Sequence, residues 1–150
     1  MRIPAALVVA ASAIAVVALT VPVANAAAVP QVQITRAQYD SPGADTRSAA
    51  SLNAEYIQLT NTTKAPISLK GWTLRDNAAH VYSFGAFTLP ARTRIIVHTG
   101  PGTSTALHRY WQSRAYIWNN DRDTATLRNA AGRPVDSCVW VRPGNGFSLC

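Results

Sequence analysis

The stretch ISLKGWTL at residues 67–74 alternates apolar and polar side chains around a glycine. Successive side chains of a strand point to opposite faces, so Trp72 and Leu74 share one face. Gly71, directly before Trp72, allows another backbone to approach closely in a strand or at a bulge. We therefore expect Trp72 and Leu74 to fill the space between two packed sheets.

Short segments of this alternating or β-branched character recur along the chain. They are Val32–Arg36, Glu55–Thr60, Ile67–Leu74, His80–Phe84, Thr93–His98, Thr124–Leu127 and Val135–Val141. Pieces rich in glycine, proline, asparagine and aspartate separate them, which is typical of a β-sandwich or barrel. The one helix-like stretch is Thr105–Gln112, long enough for one or two turns.

The N-terminus has the order of a secretory signal. Arg2 is followed by an apolar run over residues 3–23 and by the small residues Ala24-Asn25-Ala26. An uncleaved membrane helix is the alternative, because the run approaches the length of a bilayer span. We predict a signal peptide at 1–26, one mature domain at 27–150, a secreted or cell-surface location, and no membrane span after cleavage.

The mature part is mildly basic. The chain has 14 Lys and Arg against 7 Asp and Glu, and removing Arg2 with the signal leaves 13 against 7, a net charge of +6. The basic residues are scattered from Arg36 to Arg142 without the run that marks a nucleic-acid arm. A solvated cationic surface is one interpretation, and attraction to an anionic wall polymer or DNA is the other.

Cys138 and Cys150 both lie in the mature part. An even cysteine count in an exported chain indicates a disulfide. The intervening turn residues 143–146 predict a hairpin in which the two cysteines face each other across paired strands. A redox-active pair is the alternative, although such pairs usually have the closer C-x-x-C spacing.

Several motifs together resemble one family. They are residues 39–43 (YDSPG), 52–57 (LNAEYI), 67–76 (ISLKGWTLRD), 97–100 (VHTG), 118–120 (WNN) and 123–127 (DTATL). In this order they resemble the lamin tail domain family in its exported bacterial form, over residues 30–140. The resemblance implies an all-β, immunoglobulin-like β-sandwich of about seven or more short strands. It also implies an interaction module with no catalytic centre, and we expect no cofactor.

At two positions within these motifs the local structure needs an explanation. Glu55 places a carboxylate in a predicted strand, where it must face solvent or pair with backbone groups or an arginine. The family usually has a glycine where this chain has Arg122. Asn120 or Asp121 can take a left-handed conformation at modest cost if the turn needs one.

Metal and catalytic motifs are weak in this sequence. His80, His98 and His108 lack the spacing of zinc ligands. Four aspartates could gather calcium if their loops meet at one end of the sandwich, although aspartates in turns are more often turn formers: Asp40, Asp45, Asp121 and Asp123. Neither a serine-hydrolase elbow nor a phosphate-binding glycine loop is present.

An aromatic and basic segment is the candidate binding patch. It contains Arg109, Tyr110, Trp111, Arg114 and Tyr116, a set suited to sugar rings or stacked bases, with core packing as the alternative. The leading hypothesis is a secreted, non-enzymatic module whose partner is a protein, an anionic cell-surface polymer or, with weaker support, DNA. The alternative functions are an extracellular metal-dependent hydrolase or nuclease, and an adhesion module for anionic polymer or DNA.

Overall fold

The structure is a computed structural model that describes residues 28–150. The predicted signal peptide, residues 1–26, lies outside the described residues, so its cleavage stays a prediction. The elements of residues 28–150 are β1 (Val32–Gln38), α1 (Ala49–Asn53), β2 (Tyr56–Asn61), β3 (Ile67–Ser68), β4 (Thr73–Arg75), β5 (Val81–Ser83), β6 (Thr88–Leu89), β7 (Arg94–His98), β8 (His108–Tyr110), β9 (Arg122–Arg128), β10 (Pro134–Val141) and β11 (Phe147–Leu149).

Two sheets face each other across one core. The first has the order β11-β1-β2-β7-β8 and the second β10-β9-β4-β5, while β3 and β6 form a small pair. β7 and β8 run parallel, and the other paired strands are antiparallel. Residues of both sheets belong to one buried hydrophobic cluster. The prediction of an all-β, immunoglobulin-like β-sandwich is confirmed.

The alternation in the strands decides which side chains enter this core. In β2, Ile57 and Leu59 are fully buried, whereas Tyr56 and Gln58 between them are only partly covered. Leu74 is also fully buried, and Trp72 is partly buried against the same cluster. At about 25 cal/mol per Å2 of apolar surface removed from water, such side chains supply most of the stabilisation.

The segment 67–74 is two strands rather than the single strand that the sequence predicts. The Trp72 amide donates to the Leu69 carbonyl oxygen at 2.9 Å, and Gly71 between them has φ +77°. This is the geometry of a turn with a left-handed third residue, a position that favours glycine. The turn moves the chain from β3, which pairs with β6, to β4 in the four-stranded sheet.

We expect Gly71→Ala to lower the free energy of unfolding by about 1–2 kcal/mol, because an L-residue resists the left-handed region. An added Cβ would also lie 3.3 Å from the Ala130 Cβ. Chemical denaturation measures the change. Gly85→Ala is the matched control, since Gly85 has ordinary φ and open space at its Cβ position. Equal stability of the two variants would contradict the prediction.

The helix prediction at Thr105–Gln112 is wrong. The Ile96 amide donates to the Leu107 carbonyl oxygen at 2.9 Å, and the Trp111 amide donates to the His98 carbonyl oxygen at 2.8 Å. The backbone of this stretch therefore pairs with the edge of β7 as β8, because a helix this short is only marginally stable by itself.

The helix lies elsewhere, at α1, where the Ser48 hydroxyl oxygen accepts a hydrogen bond from the Ser51 amide at 3.2 Å. A serine in this role satisfies an amide that the first turn of a helix leaves unpaired. No helix among residues 28–150 is long and apolar enough to cross a membrane.

The predicted disulfide between Cys138 and Cys150 is present, with Cα atoms 5.6 Å apart. The predicted hairpin around it is wrong. Cys138 lies in β10 of the four-stranded sheet, whereas Cys150 follows β11, which pairs with β1 in the five-stranded sheet. The chain changes sheets between β10 and β11 because the Tyr39 and Asp40 amides bind the Gly146 carbonyl oxygen at 3.1 and 3.0 Å. The disulfide therefore joins the two sheets.

Candidate functional site

Three connections meet at one end of the sandwich and enclose a cleft. They are the chain between β1 and β2, the chain between β8 and β9, and the turn between β10 and β11. The cleft has two adjoining parts of about 190 and 240 Å3. Tyr39 and Asn120 line both parts, so the two parts lie side by side.

Glu55 lies at the base of the first part, directly before β2. Its side chain is buried, and the residue is only 1% exposed. The carboxyl Oε1 accepts from the Thr99 hydroxyl at 2.7 Å, from the Ile117 amide at 2.8 Å and from the Trp118 amide at 3.3 Å. Of the three environments that the sequence left open for Glu55, which were solvent, backbone groups or an arginine, the structure shows pairing with backbone groups and one hydroxyl. These bonds tie the end of β7 and the loop before β9 to one carboxyl group.

The second oxygen of the same carboxyl group differs from the first. All three hydrogen bonds end on Oε1, and Oε2 accepts none from the groups described in residues 28–150. Glu55 lines the cleft. Oε2 is not among the buried side-chain atoms that lack a partner, so it is the oxygen of this carboxyl group that reaches solvent.

Burial raises the pKa of Glu55 from 4.5 to about 7, because removing a carboxylate from water disfavours its charged form. The hydrogen bonds from Thr99, Ile117 and Trp118 oppose the shift, and the negative charge of Asp45 adds to it. A carboxyl group with this pKa exchanges its proton near neutral pH. Such values are typical of functional sites, although structural networks also produce them.

Aromatic rings form rigid walls around the cleft. Tyr39 stacks on Trp140 with ring centroids 5.0 Å apart, and Trp118 meets Trp140 edge-on at 5.9 Å. The Trp140 indole N–H donates to the Asn119 carbonyl oxygen at 2.8 Å. The Tyr116 hydroxyl lies 2.6 Å from the Ser51 hydroxyl and so links the wall to α1. These contacts hold the rings in one arrangement.

The carboxylate of Asp123 shapes the loop before β9. It is buried and accepts from the Asn119 amide at 3.0 Å, the Asn77 amide at 3.1 Å and its neighbour Thr124 at 2.8 Å. The Asp121 amide donates to the Asn119 side-chain oxygen at 2.9 Å, which forms a turn at this asparagine.

Neither Asn120 nor Asp121 adopts the left-handed conformation that the sequence allows at this turn. The positive-φ residues of the described chain other than glycine are Arg47, Ala79, Arg92 and Gln112. The hydrogen bonds of the Asn119 and Asp123 side chains supply the turn geometry instead, so Arg122 can begin β9 in an extended conformation.

The four aspartates proposed as calcium ligands have different surroundings. Asp123 is occupied by backbone amides, Asp121 pairs with Arg142 at 2.8 Å on the surface, and Asp40 and Asp45 line different parts of the cleft. No group of three or more His, Cys, Asp or Glu side chains in residues 28–150 is arranged to hold a metal ion.

Two of the three histidines are neighbours, which their separation in sequence does not reveal. The parallel pairing of β7 and β8 places His98 Nε2 2.8 Å from His108 Nδ1. His98 Nδ1 lies 2.7 Å from the Asn53 carbonyl oxygen, so this nitrogen carries the proton. Burial lowers the pKa of His98, and the Asn53 bond opposes this shift.

The five residues of the predicted binding patch occupy different surroundings. The Arg109 guanidinium carbon lies 3.7 Å above the Phe87 ring, Tyr110 stacks on His98 at 4.9 Å, and Trp111 contacts Trp118 at 5.7 Å. Arg114 is exposed, and Tyr116 lines the cleft. Alternation along β8 turns Arg109 and Tyr110 to opposite faces. Binding by this set stays a prediction.

Most residues of the cleft carry no sequence signal of a binding site. Glu55, Tyr116 and the two aspartates are recognisable in the sequence as candidates, whereas Tyr39 and Asn120 belong only to a motif or a turn. The available signal was that the polar turn at 40–43 and the Asn-Asn-Asp turn at 119–121 are both loop segments of a sandwich.

Comparison with known families gives one match. The family model described as Lamin Tail Domain matches residues 25–142, which is most of the chain. No curated protein matches the chain.

Proposed function

The chain belongs to the lamin tail domain family, and from this we propose that it is a secreted, non-enzymatic module that binds a partner at the cell exterior. Domains of this family are immunoglobulin-like interaction or structural modules. Secretion is supported by the order of the first 26 residues, from Arg2 through the apolar run to Ala24-Asn25-Ala26. The extracellular location also suits a disulfide.

The observation that carries the proposal is the cleft at the end of the sandwich. Aromatic rings and carboxyl groups from two connections meet there, beside Arg142 from the turn between β10 and β11. The Glu55 hydrogen bonds hold the framework around them. A binding surface that is already ordered loses less conformational entropy when a partner docks. Loops presented on a rigid sandwich are a common location of binding sites.

A second candidate function, adhesion to an anionic polymer, is favoured by the outer surface of the four-stranded sheet. Arg75 and Arg122 are exposed there on β4 and β9, and Arg128 is partly exposed beside them. Arginine side chains that neutralise a polyanion release its counterions, so binding of this kind weakens as salt increases.

Capture experiments test both candidates. Protein recovered from culture medium, with its first residue expected at Ala27, is incubated with purified cell wall, double-stranded DNA and culture-surface protein. We expect capture by surface protein that persists at high salt, because the cleft offers hydrogen-bonding and aromatic groups as well as charge. Capture on wall or DNA that disappears at high salt would support polymer adhesion instead. If none of the three materials captures the protein, the proposal that it is a binding module is contradicted.

A separate measurement tests the alternative of a metal-dependent hydrolase or nuclease. Chelator-sensitive cleavage of DNA by the same preparation would support it and contradict the non-enzymatic proposal. The described aspartates give it little geometric support, since Asp121 and Asp123 are engaged with Arg142 and backbone amides.

A further inference from the structure

The turn between β10 and β11 contains an asparagine followed by a glycine. Asn145 precedes Gly146, and no other asparagine of the chain precedes a glycine. The side-chain carbonyl carbon of an asparagine is open to attack by the amide nitrogen of the next residue. A following glycine favours this reaction, because it has no side chain to hinder the approach. Asn145 is also exposed, so solvent reaches it.

Both groups that would react are without hydrogen bonds. The Asn145 side chain makes none with the groups described in residues 28–150. The Gly146 amide nitrogen likewise donates none to these groups. A hydrogen bond would hold the side chain or the amide in place, so its absence leaves Asn145 Cγ able to rotate toward the Gly146 nitrogen.

The other asparagines of the described chain are restrained. Asn129 Oδ1 accepts from two backbone amides, both at 3.0 Å. Asn61 is buried, and its side chain donates to three backbone carbonyl oxygens. The Asp121 amide, which follows Asn120, donates to the Asn119 side chain at 2.9 Å. Side-chain donors are also engaged in Asn53 and Asn77.

The residue after Asn145 joins this turn to the end of β1. The Gly146 carbonyl oxygen accepts from the amides of Tyr39 and Asp40 at 3.1 and 3.0 Å and from Gln38 Nε2 at 3.2 Å. The next residue, Phe147, pairs with Gln38 where β11 meets β1. A change in the length of the main chain at residue 145 therefore acts directly on this junction.

We propose that Asn145 is a site of spontaneous modification. The Gly146 amide nitrogen attacks Asn145 Cγ and forms a new C–N bond. The bond from Cγ to the side-chain nitrogen breaks, and ammonia leaves with the proton that the Gly146 nitrogen gives up. Water then opens the cyclic imide at either of its carbonyl groups. One opening gives aspartate, and the other gives isoaspartate, whose main chain passes through the former side chain and is longer by one carbon.

The two products differ in what they do to the junction. Both place a new carboxylate between Gly144 and Gly146, which line the second part of the cleft together with Arg142. Isoaspartate alone lengthens the main chain, and so moves the Gly146 carbonyl oxygen away from the amides at the end of β1. The reaction consumes only water and needs no partner, so it is independent of the proposed function.

The test is incubation of the disulfide-bonded protein in mildly alkaline buffer, where an amide nitrogen loses its proton more readily, followed by peptide mass spectrometry. We expect a gain of mass in the peptide that contains Asn145, with isoaspartate as the larger product. The rate should exceed that at Asn129 by about tenfold or more, equivalent to a barrier lower by about 1.4 kcal/mol. Asn145→Gln is the matched control, because its longer side chain must close a larger ring and should react far more slowly.

Hydrogen exchange separates the added charge from the added length. Asn145→Asp carries the new carboxylate without the extra carbon. The Tyr39 and Asp40 amides should exchange about tenfold or more faster in the purified isoaspartate form than in Asn145→Asp, because only the longer chain breaks their bonds to Gly146.

Two results would overturn the proposal. The first is an unmodified Asn145 in the folded protein under conditions in which the denatured protein reacts there, since the fold would then block the reaction. The second is equal exchange of the Tyr39 and Asp40 amides in the isoaspartate form and in Asn145→Asp, which would show that the junction does not respond to the longer chain.

Discussion

Glu55→Ala should lower the free energy of unfolding by about 4 kcal/mol at pH 6, because three donors lose their acceptor and each unsatisfied buried group costs about 1–3 kcal/mol. The donors are the Thr99 hydroxyl and the amides of Ile117 and Trp118, and all three bonds are buried. Water that enters the cleft bonds to some of these donors and so offsets part of the lost free energy. Denaturant unfolding followed by tryptophan fluorescence measures the change.

Glu55→Gln is the control for that loss, because its side-chain oxygen can accept the same three hydrogen bonds. We expect it to be about as stable as the wild type at pH 5, where Glu55 is protonated. If the alanine and glutamine variants were equally unstable at this pH, the hydrogen-bond explanation would be wrong.

The pH dependence of stability in the wild type and in Glu55→Gln separates the effect of the charge from the effect of the hydrogen bonds. The folded pKa of Glu55 is raised from 4.5 to about 7, so its stabilising contribution is complete below pH 4.5 and is lost as the pH rises through 7. From pH 4 to pH 8 the wild type should lose about 3 kcal/mol relative to Glu55→Gln. A constant difference in free energy of unfolding between the two proteins across this range would mean that folding does not shift the pKa of Glu55.

Loss of the disulfide should lower the free energy of unfolding by about 3 kcal/mol and the melting temperature by about 10 °C. Cys138 and Cys150 are 12 residues apart and join the two sheets. β11 otherwise pairs with β1 over three residues, Arg36 with Leu149, Ala37 with Ser148 and Gln38 with Phe147. A short strand next to a chain terminus frays when such a link is removed.

Calorimetry of the wild type with and without reductant, beside the double variant Cys138→Ala/Cys150→Ala, measures this effect. The double variant should not respond to reductant, which controls for effects unrelated to the disulfide. Hydrogen exchange should also accelerate in residues 147–149 after reduction, because this strand is held at its far end by the bond. An unchanged melting temperature would show that strand pairing alone secures the terminus.

The cleft shows how far local pattern can predict a site. The turn residues near Asp40 and Asn119 identify loops. The carboxylate of Glu55 stands out because it lies directly before the apolar strand β2. The depth of its burial and its pairing with Thr99 and Ile117 depend on segments 44 and 62 residues away. A sequence pattern covers a few neighbouring residues, so it cannot indicate which distant donors a carboxyl group meets.

The sequence by itself determined the all-β class, the inward side of strands such as β2 and the pairing of the two cysteines. Each of these follows from side-chain period or cysteine count, which are local or compositional properties. Family membership followed from motifs in a fixed order, and the match over residues 25–142 shows it.

Only the tertiary structure decided the strand partners. β11 joins β1 instead of β10, residues 108–110 form a strand beside β7 instead of part of a helix, and His98 meets His108. The Ile34 amide and the Asp136 carboxylate, 102 residues apart, bond at 2.7 Å. Such contacts form because the unpaired backbone groups of a strand edge need hydrogen-bond partners. Those partners come from distant parts of the chain, which lie beside the edge only when the whole sandwich is assembled.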